Sequence, residues 1–81
     1  MNVRVQFHSY FKELAGCAEA TEPLREGASL GELLHQLRVR FPGIKPMERS
    51  TLVAVGVEYE PPDYRLREGD EVSLFPPVQG G

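Results

Sequence analysis

Gly69-Asp70-Glu71-Val72-Ser73-Leu74-Phe75-Pro76-Pro77-Val78-Gln79-Gly80-Gly81 closes the chain. Its first half is a turn feeding a strand. Leu66 to Asp70 carries turn residues, and Val72 and Leu74 alternate with Glu71 and Ser73, so they share one face of an extended segment that ends at Phe75. The second half cannot continue that strand. Pro76 and Pro77 fix φ and lack N–H groups, and they hold the exit extended as a polyproline-like strut. Gly80 and Gly81 have no side chains, so their backbone can enter a channel too narrow for a Cβ. An α-carboxylate on such a lead is suited to activation by another protein, because a side chain at the end would hinder attack at the carbonyl. Chain ends are often merely frayed, so the weight rests on what precedes. The division expected is a holder over 1–75 and an extended, flexible arm over 76–81.

Working outward, Val3, Val5 and Phe7 alternate with polar residues in a first strand with one buried face. Ser9 is placed to cap a short helix in which Phe11, Leu14 and Ala15 face inward and Gly16 ends it. Ala18 to Leu24 reads as a weak strand, with Pro23 marking an edge or an ending. The clearest helix follows. Ser29 and Glu32 form a capping box, Leu30, Leu33, Leu34, Leu37 and Phe41 recur along one face, and Pro42-Gly43 stops it. Gly31 in its first turn has no reason visible in the sequence. Ile44 to Ser50 reads as a connector, Leu52 to Val57 as a largely buried strand, and Glu58 to Tyr64 as a loop around Pro61-Pro62-Asp63. Four strands and one main helix predict an α+β domain, a small mixed sheet with the helix packed across one face.

The 81 residues fit one domain, and 41% hydrophobic with 26% charged residues suits an ordinary globular chain. Twelve acids against nine bases leave a net charge of −3 and no basic stripe, which argues against nucleic acid as a partner. One cysteine, Cys17, permits no internal disulfide and fits a reducing cytoplasm. No apolar run approaches membrane-spanning length and no signal peptide opens the sequence, so a cytoplasmic protein with no membrane partner is expected. His8 and His35 are far apart, no nucleophile elbow or phosphate-cradling loop is present, and Glu68, Asp70 and Glu71 read as a solvated turn. No metal and no bound cofactor are expected. The chain looks like a carrier or binding module, not an enzyme by itself.

The segments together resemble the MoaD family within the MoaD/ThiS group of ubiquitin-like sulfur carriers. Val3 to Phe7 through Leu14-Ala15-Gly16 is similar to that family's opening strand and Arg-Glu-Leu-Ala-Gly segment, with Lys12 where arginine is common. Gly27 to Leu34 resembles the entry to its main helix, Phe41-Pro42-Gly43 the exit, and Leu52 to Val55 a strand usually followed by asparagine, where this chain has Gly56. The closing stretch is similar to the family ending Gly-Asp-Glu-Val-x-x-x-Pro-Pro-Val-x-Gly-Gly. The resemblance implies a β-grasp fold and a role in molybdenum cofactor biosynthesis. An ATP-dependent adenylating enzyme of the ubiquitin-activating type would adenylate Gly81, a sulfur donor would convert it to a thiocarboxylate, and the arm, Gly80 included, would insert into the large subunit of molybdopterin synthase.

Phe75, alternating with Leu74, is expected to face away from the core and to anchor a partner, together with Pro76 and Pro77 and, less strongly, Phe7, Tyr59 and Val78. Packing within the domain is the plainer role for Phe75. Two alternatives use the same carboxyl activation: a sulfur carrier for another pathway, such as thiamine thiazole formation, and a ubiquitin-like modifier joined to lysines through Gly81.

Overall fold

The structure, a computed structural model, describes residues 1–47 and 51–76. Its elements in chain order are β1 (Asn2–Phe7), α1 (Tyr10–Ala15), β2 (Glu19–Pro23), α2 (Leu30–Arg40), a 3-10 helix (Pro42–Met47), β3 (Leu52–Val55), β4 (Glu58–Tyr59) and β5 (Glu71–Phe75). The strands form one sheet in the order β2-β1-β5-β3-β4. β1 and β5 run parallel at its centre, with Val5 opposite Val72 and Phe7 opposite Leu74. The other pairings are antiparallel. This is the expected mixed sheet, with β2 and its terminal Pro23 at an edge, where a missing N–H leaves no ladder bond unmade on the solvent side.

One face of the sheet is closed by α2. Val3, Val5, Phe7, Val55, Val72 and Leu74 pack with Leu30, Leu33 and Leu37 in a single buried cluster. Burying a Leu or Val side chain is worth about 1.5–3 kcal/mol, so this cluster is the main favourable term of the fold. Phe41 closes its end, edge-on to Phe7 with ring centroids 5.3 Å apart.

The start of α2 is fastened twice. Ser29 Oγ accepts from the Glu32 N–H at 3.2 Å, and Glu32 Oε2 accepts from the Ser29 N–H at 2.9 Å, the capping box expected from the sequence. In addition, the carbonyls of Tyr64 and Pro62 accept from the N–H groups of Leu30 and Gly31, both at 2.8 Å. First-turn donors that a helix leaves unpaired are thus used to pin the loop after β4. This accounts for Gly31. A Cβ there would lie 3.3 Å from the Pro62 carbonyl oxygen, so the bare backbone lets the loop approach. Glu32 also accepts from Arg25 at 2.5 Å. That bond and the one from Ser29 hold its carboxyl below the ordinary glutamate value.

Several segments differ from expectation. Ser9 precedes α1 at φ 56° and its side chain makes no cap. Leu14 is exposed and only Phe11 of α1 is buried, since a helix this short turns one residue per turn to the core. The segment after α2 is a 3-10 helix, not an irregular connector, and Ile44 anchors it in the core. It lies so close to α1 that a Cβ on Gly43 would overlap the Leu14 carbonyl oxygen. The apolar run from Leu52 leaves the sheet after Val55. Gly56 turns at φ 63°, Val57 is 96% exposed, and Glu58 returns as β4, a strand within the stretch expected to be loop.

One buried charge has no counterpart in the sequence pattern. Glu22 faces α2 from the edge strand and is fully buried. It accepts from Arg40 and, at 3.1 Å, from Gln36, whose amide also donates to the Pro23 carbonyl.

Three outcomes are expected from these contacts. Gly43→Ala forces two backbones apart and lowers stability by about 1–3 kcal/mol, read from the urea midpoint. Arg40→Ala deprives Glu22 of its counter-charge. Because the Arg40 side chain is 50% exposed, water takes part of its place, and the loss in the same assay is about 1–3 kcal/mol instead of the ~3–5 of a fully buried pair. Glu32 has a folded-state value below its unfolded one, so its stabilisation is present above pH 4.5 and is lost as pH falls through the lower folded value. Glu32→Gln therefore melts below the wild type at neutral pH, and the gap closes on acidification past that point.

Candidate functional site

With α2 on one side, the sheet's other face is left open. Strand alternation places Gln6, Ser73, Ala54 and Tyr59 in one row across four strands of that face, with Phe75 and Leu52 paired two residues on. Its two ends differ in chemistry. Near the start of β5, Arg4 lies 3.8 Å from Glu19 and 3.9 Å from Glu71, all three exposed, a cluster that contributes solubility more than stability. Near the end of β5 the residues are His8, Leu52 and Phe75, with Tyr59 on the bordering edge strand.

Phe75 points to this open face, as its alternation with Leu74 requires, and is half-buried. Its ring lies against the imidazole of His8, centroids 4.4 Å apart and planes inclined by 10°. The His8 N–H donates to the Leu74 carbonyl at 3.1 Å, so the register that joins the two strands also sets the two rings face to face. Nothing in the sequence singled out His8; eight residues from the start and 67 before Phe75, it meets that ring only through the parallel pairing of β1 with β5. Tyr59 is 67% exposed and available to a partner. Pro76 continues from the strand, half-buried.

Phe7 is a correction. Expected on the partner surface, it is 3% exposed and belongs to the core under α2, because its period on β1 is that of Val3 and Val5. Ser73 also departs from expectation. It faces the open side yet is 7% exposed, being a short side chain on a strand flanked on both sides. Pro77, Val78, Gly80 and Gly81, the remaining expected site residues, lie outside the described residues.

The acidic turn before β5 is structural. Asp70 Oδ2 accepts from the Arg67 N–H at 2.8 Å and Glu68 Oε2 from the Asn2 N–H at 3.0 Å, with Gly69 at φ 82° completing the turn. His35 is exposed on α2, and Cys17 is half-buried against the core. Among the described residues no group of three or more His, Cys, Asp or Glu side chains is placed to hold a metal, and no helix is long and apolar enough to cross a membrane. The geometry offers an open face whose aromatic end adjoins Pro76.

Comparison with known proteins agrees with this architecture. A molybdopterin synthase sulfur carrier subunit from Chlamydomonas reinhardtii is 32% identical over 83 aligned residues that span all of both chains. Among solved structures, SAMP1 from Haloferax volcanii superposes with a TM-score of 0.91 at 22% identity over the full length of both, a likeness of fold. A chain in the complex of subunits 1 and 2 of the molybdopterin-converting factor from Helicobacter pylori matches with a TM-score of 0.75 and 26% identity, again over the full length of both. The model of the ThiS family matches residues 5–81, and the chain belongs to that family, on a ubiquitin-like β-grasp fold.

Proposed function

We propose that the chain is the sulfur carrier of molybdopterin biosynthesis, the sulfur-donating small subunit of a synthase whose large subunit binds the substrate. The observation that carries this reading is the end-to-end match, at 32% identity, to a relative of that name. A chain matching this one throughout its length has been seen in complex with a second subunit of molybdopterin-converting factor, which supports a large-subunit partner. The aromatic end of the open face supplies a surface for it.

The chemistry resides at the Gly81 carboxylate. A carboxylate is a poor electrophile. An ATP-dependent adenylating enzyme joins it to AMP with release of pyrophosphate, and the acyl adenylate then has a good leaving group. Sulfide-level sulfur from a donor attacks the carbonyl carbon, a C–S bond forms, the C–O bond to AMP breaks, AMP departs and the S–H proton is lost to solvent. The thiocarboxylate sulfur is a nucleophile on a tether. Inside the large subunit it attacks a carbon of the pterin precursor and displaces an oxygen leaving group from it, and water then breaks the C–S bond to Gly81, leaving the sulfur on the precursor and restoring the carboxylate. The tether keeps the sulfur at high effective concentration and out of bulk solvent. The 1–75 domain contributes no reacting group. It docks through Phe75 and its neighbours and aims the arm, while Gly80 and Gly81 pass a narrow entry.

The test is reconstitution with the large subunit and the pterin precursor. Thiocarboxylated chain should yield dithiolene-bearing product in proportion to the sulfur supplied, and chain lacking Gly80 and Gly81 should yield none. Product formed equally by the truncated chain would refute the reading. Phe75→Ala, if the ring is an anchor, weakens binding to the large subunit by tenfold or more, about the 1.4 kcal/mol or greater expected of a central aromatic contact. Unchanged binding by calorimetry would remove that role.

A further inference from the structure

The His8–Phe75 ring pair is not used by the chemistry above, yet it lies at the root of the arm. Phe75 is the last residue of β5, and a lone aromatic on an open sheet face has rotamers to choose from. Here one face of its ring is covered. The imidazole is parallel to it at 4.4 Å, and the His8 backbone is fixed to β5 through the Leu74 carbonyl. Nε2 of His8 is shielded from solvent and has no hydrogen-bond partner among the described residues. Retaining a buried, unpaired nitrogen is unfavourable, and no bond at Nε2 holds the ring, which lies as a flat plate on Phe75.

We propose that His8 is a positioning residue for docking: its imidazole holds the Phe75 ring in the orientation the partner takes up, so that the anchor at the root of the sulfur-bearing arm is ordered before the subunits meet. This rests on the reading of the chain as the small subunit of a two-subunit synthase. The contribution is preorganisation. A partner that must itself immobilise Phe75 loses the ordering entropy of one side chain, about three- to tenfold in affinity. His8 need not touch the partner or the reacting sulfur, so the loss falls on KM for the thiocarboxylated chain and leaves kcat within about twofold, as expected for a group whose effect is on binding alone.

The experiment measures affinity for the large subunit, and KM and kcat of sulfur transfer, for wild type, His8→Ala, His8→Phe, Phe75→Ala and the His8→Ala/Phe75→Ala double variant. His8→Ala should bind about three- to tenfold more weakly. His8→Phe, which keeps the plate and removes the unpaired nitrogen, should restore wild-type affinity. In the Phe75→Ala background His8→Ala should add no further loss, because its action passes through that ring. His8→Gln, with no ring, takes the place of His8→Ala if the alanine variant does not fold. Equal binding by wild type and His8→Ala, an undiminished His8→Ala loss in the Phe75→Ala background, or no rescue by His8→Phe would each overturn the proposal. Wild-type chain that fails to bind the large subunit at all would instead overturn the functional reading, and the proposal with it.

Discussion

The parallel pairing of β1 with β5 is the contact on which the rest of the molecule depends. It joins the two ends of the chain in the middle of the sheet, where Val5 meets Val72 and Phe7 meets Leu74. Parallel pairing cannot be made by a tight turn and requires a crossover. Everything from α1 to the acidic turn before β5 serves as that crossover, and α2 covers the strands it connects. The consequence for function is mechanical. The residues after Phe75 follow the central strand, whose Val72 and Leu74 are fully buried, and not an edge strand that can fray.

A single helix can close only one face of a five-stranded sheet, so the same economy that builds the core leaves the other face free. The sidedness is sharp along β5, where Leu74 is in the core while Phe75, the next residue, lies on the open side. The open face is graded, from the Arg4, Glu19 and Glu71 cluster at one end to His8, Leu52 and Phe75 at the other. Apolar and aromatic surface is thus gathered at the end of β5, next to Pro76, and charge at its start. The loop after β4 is secured out of the way, donated to by the first turn of α2.

Where sequence signals were local, the chain could be read in advance. The capping box at Ser29 and Glu32, the leucine stripe and the alternation in β1 depend on spacings of two to four residues, and each is present in the structure. Long-range contacts were hidden. Gly31 is explained by the approach of Pro62, Gly43 by the approach of Leu14, Glu22 by Arg40 from the far end of α2, and His8 by Phe75. Phe7 illustrates the hazard of choosing site residues by chemical type, since its own alternation with Val3 and Val5 already assigned it to the core. The short β4 was missed because two residues carry no periodicity. Phe75 and Tyr59 could be picked from the sequence as aromatic residues of the open face; the imidazole of His8 could not, because only the parallel pairing brings it there.

Every functional step assigned to the chain converges on the Gly81 carboxylate, so the most direct measurement is the intact mass of the protein after incubation with ATP, an activating enzyme from the same cell and a sulfur donor. The account predicts a gain equal to one oxygen replaced by one sulfur, dependent on ATP and abolished when Gly81 is removed. An unchanged mass in the presence of an enzyme that does adenylate Gly81, or a sulfur gain that survives removal of Gly81, would contradict it.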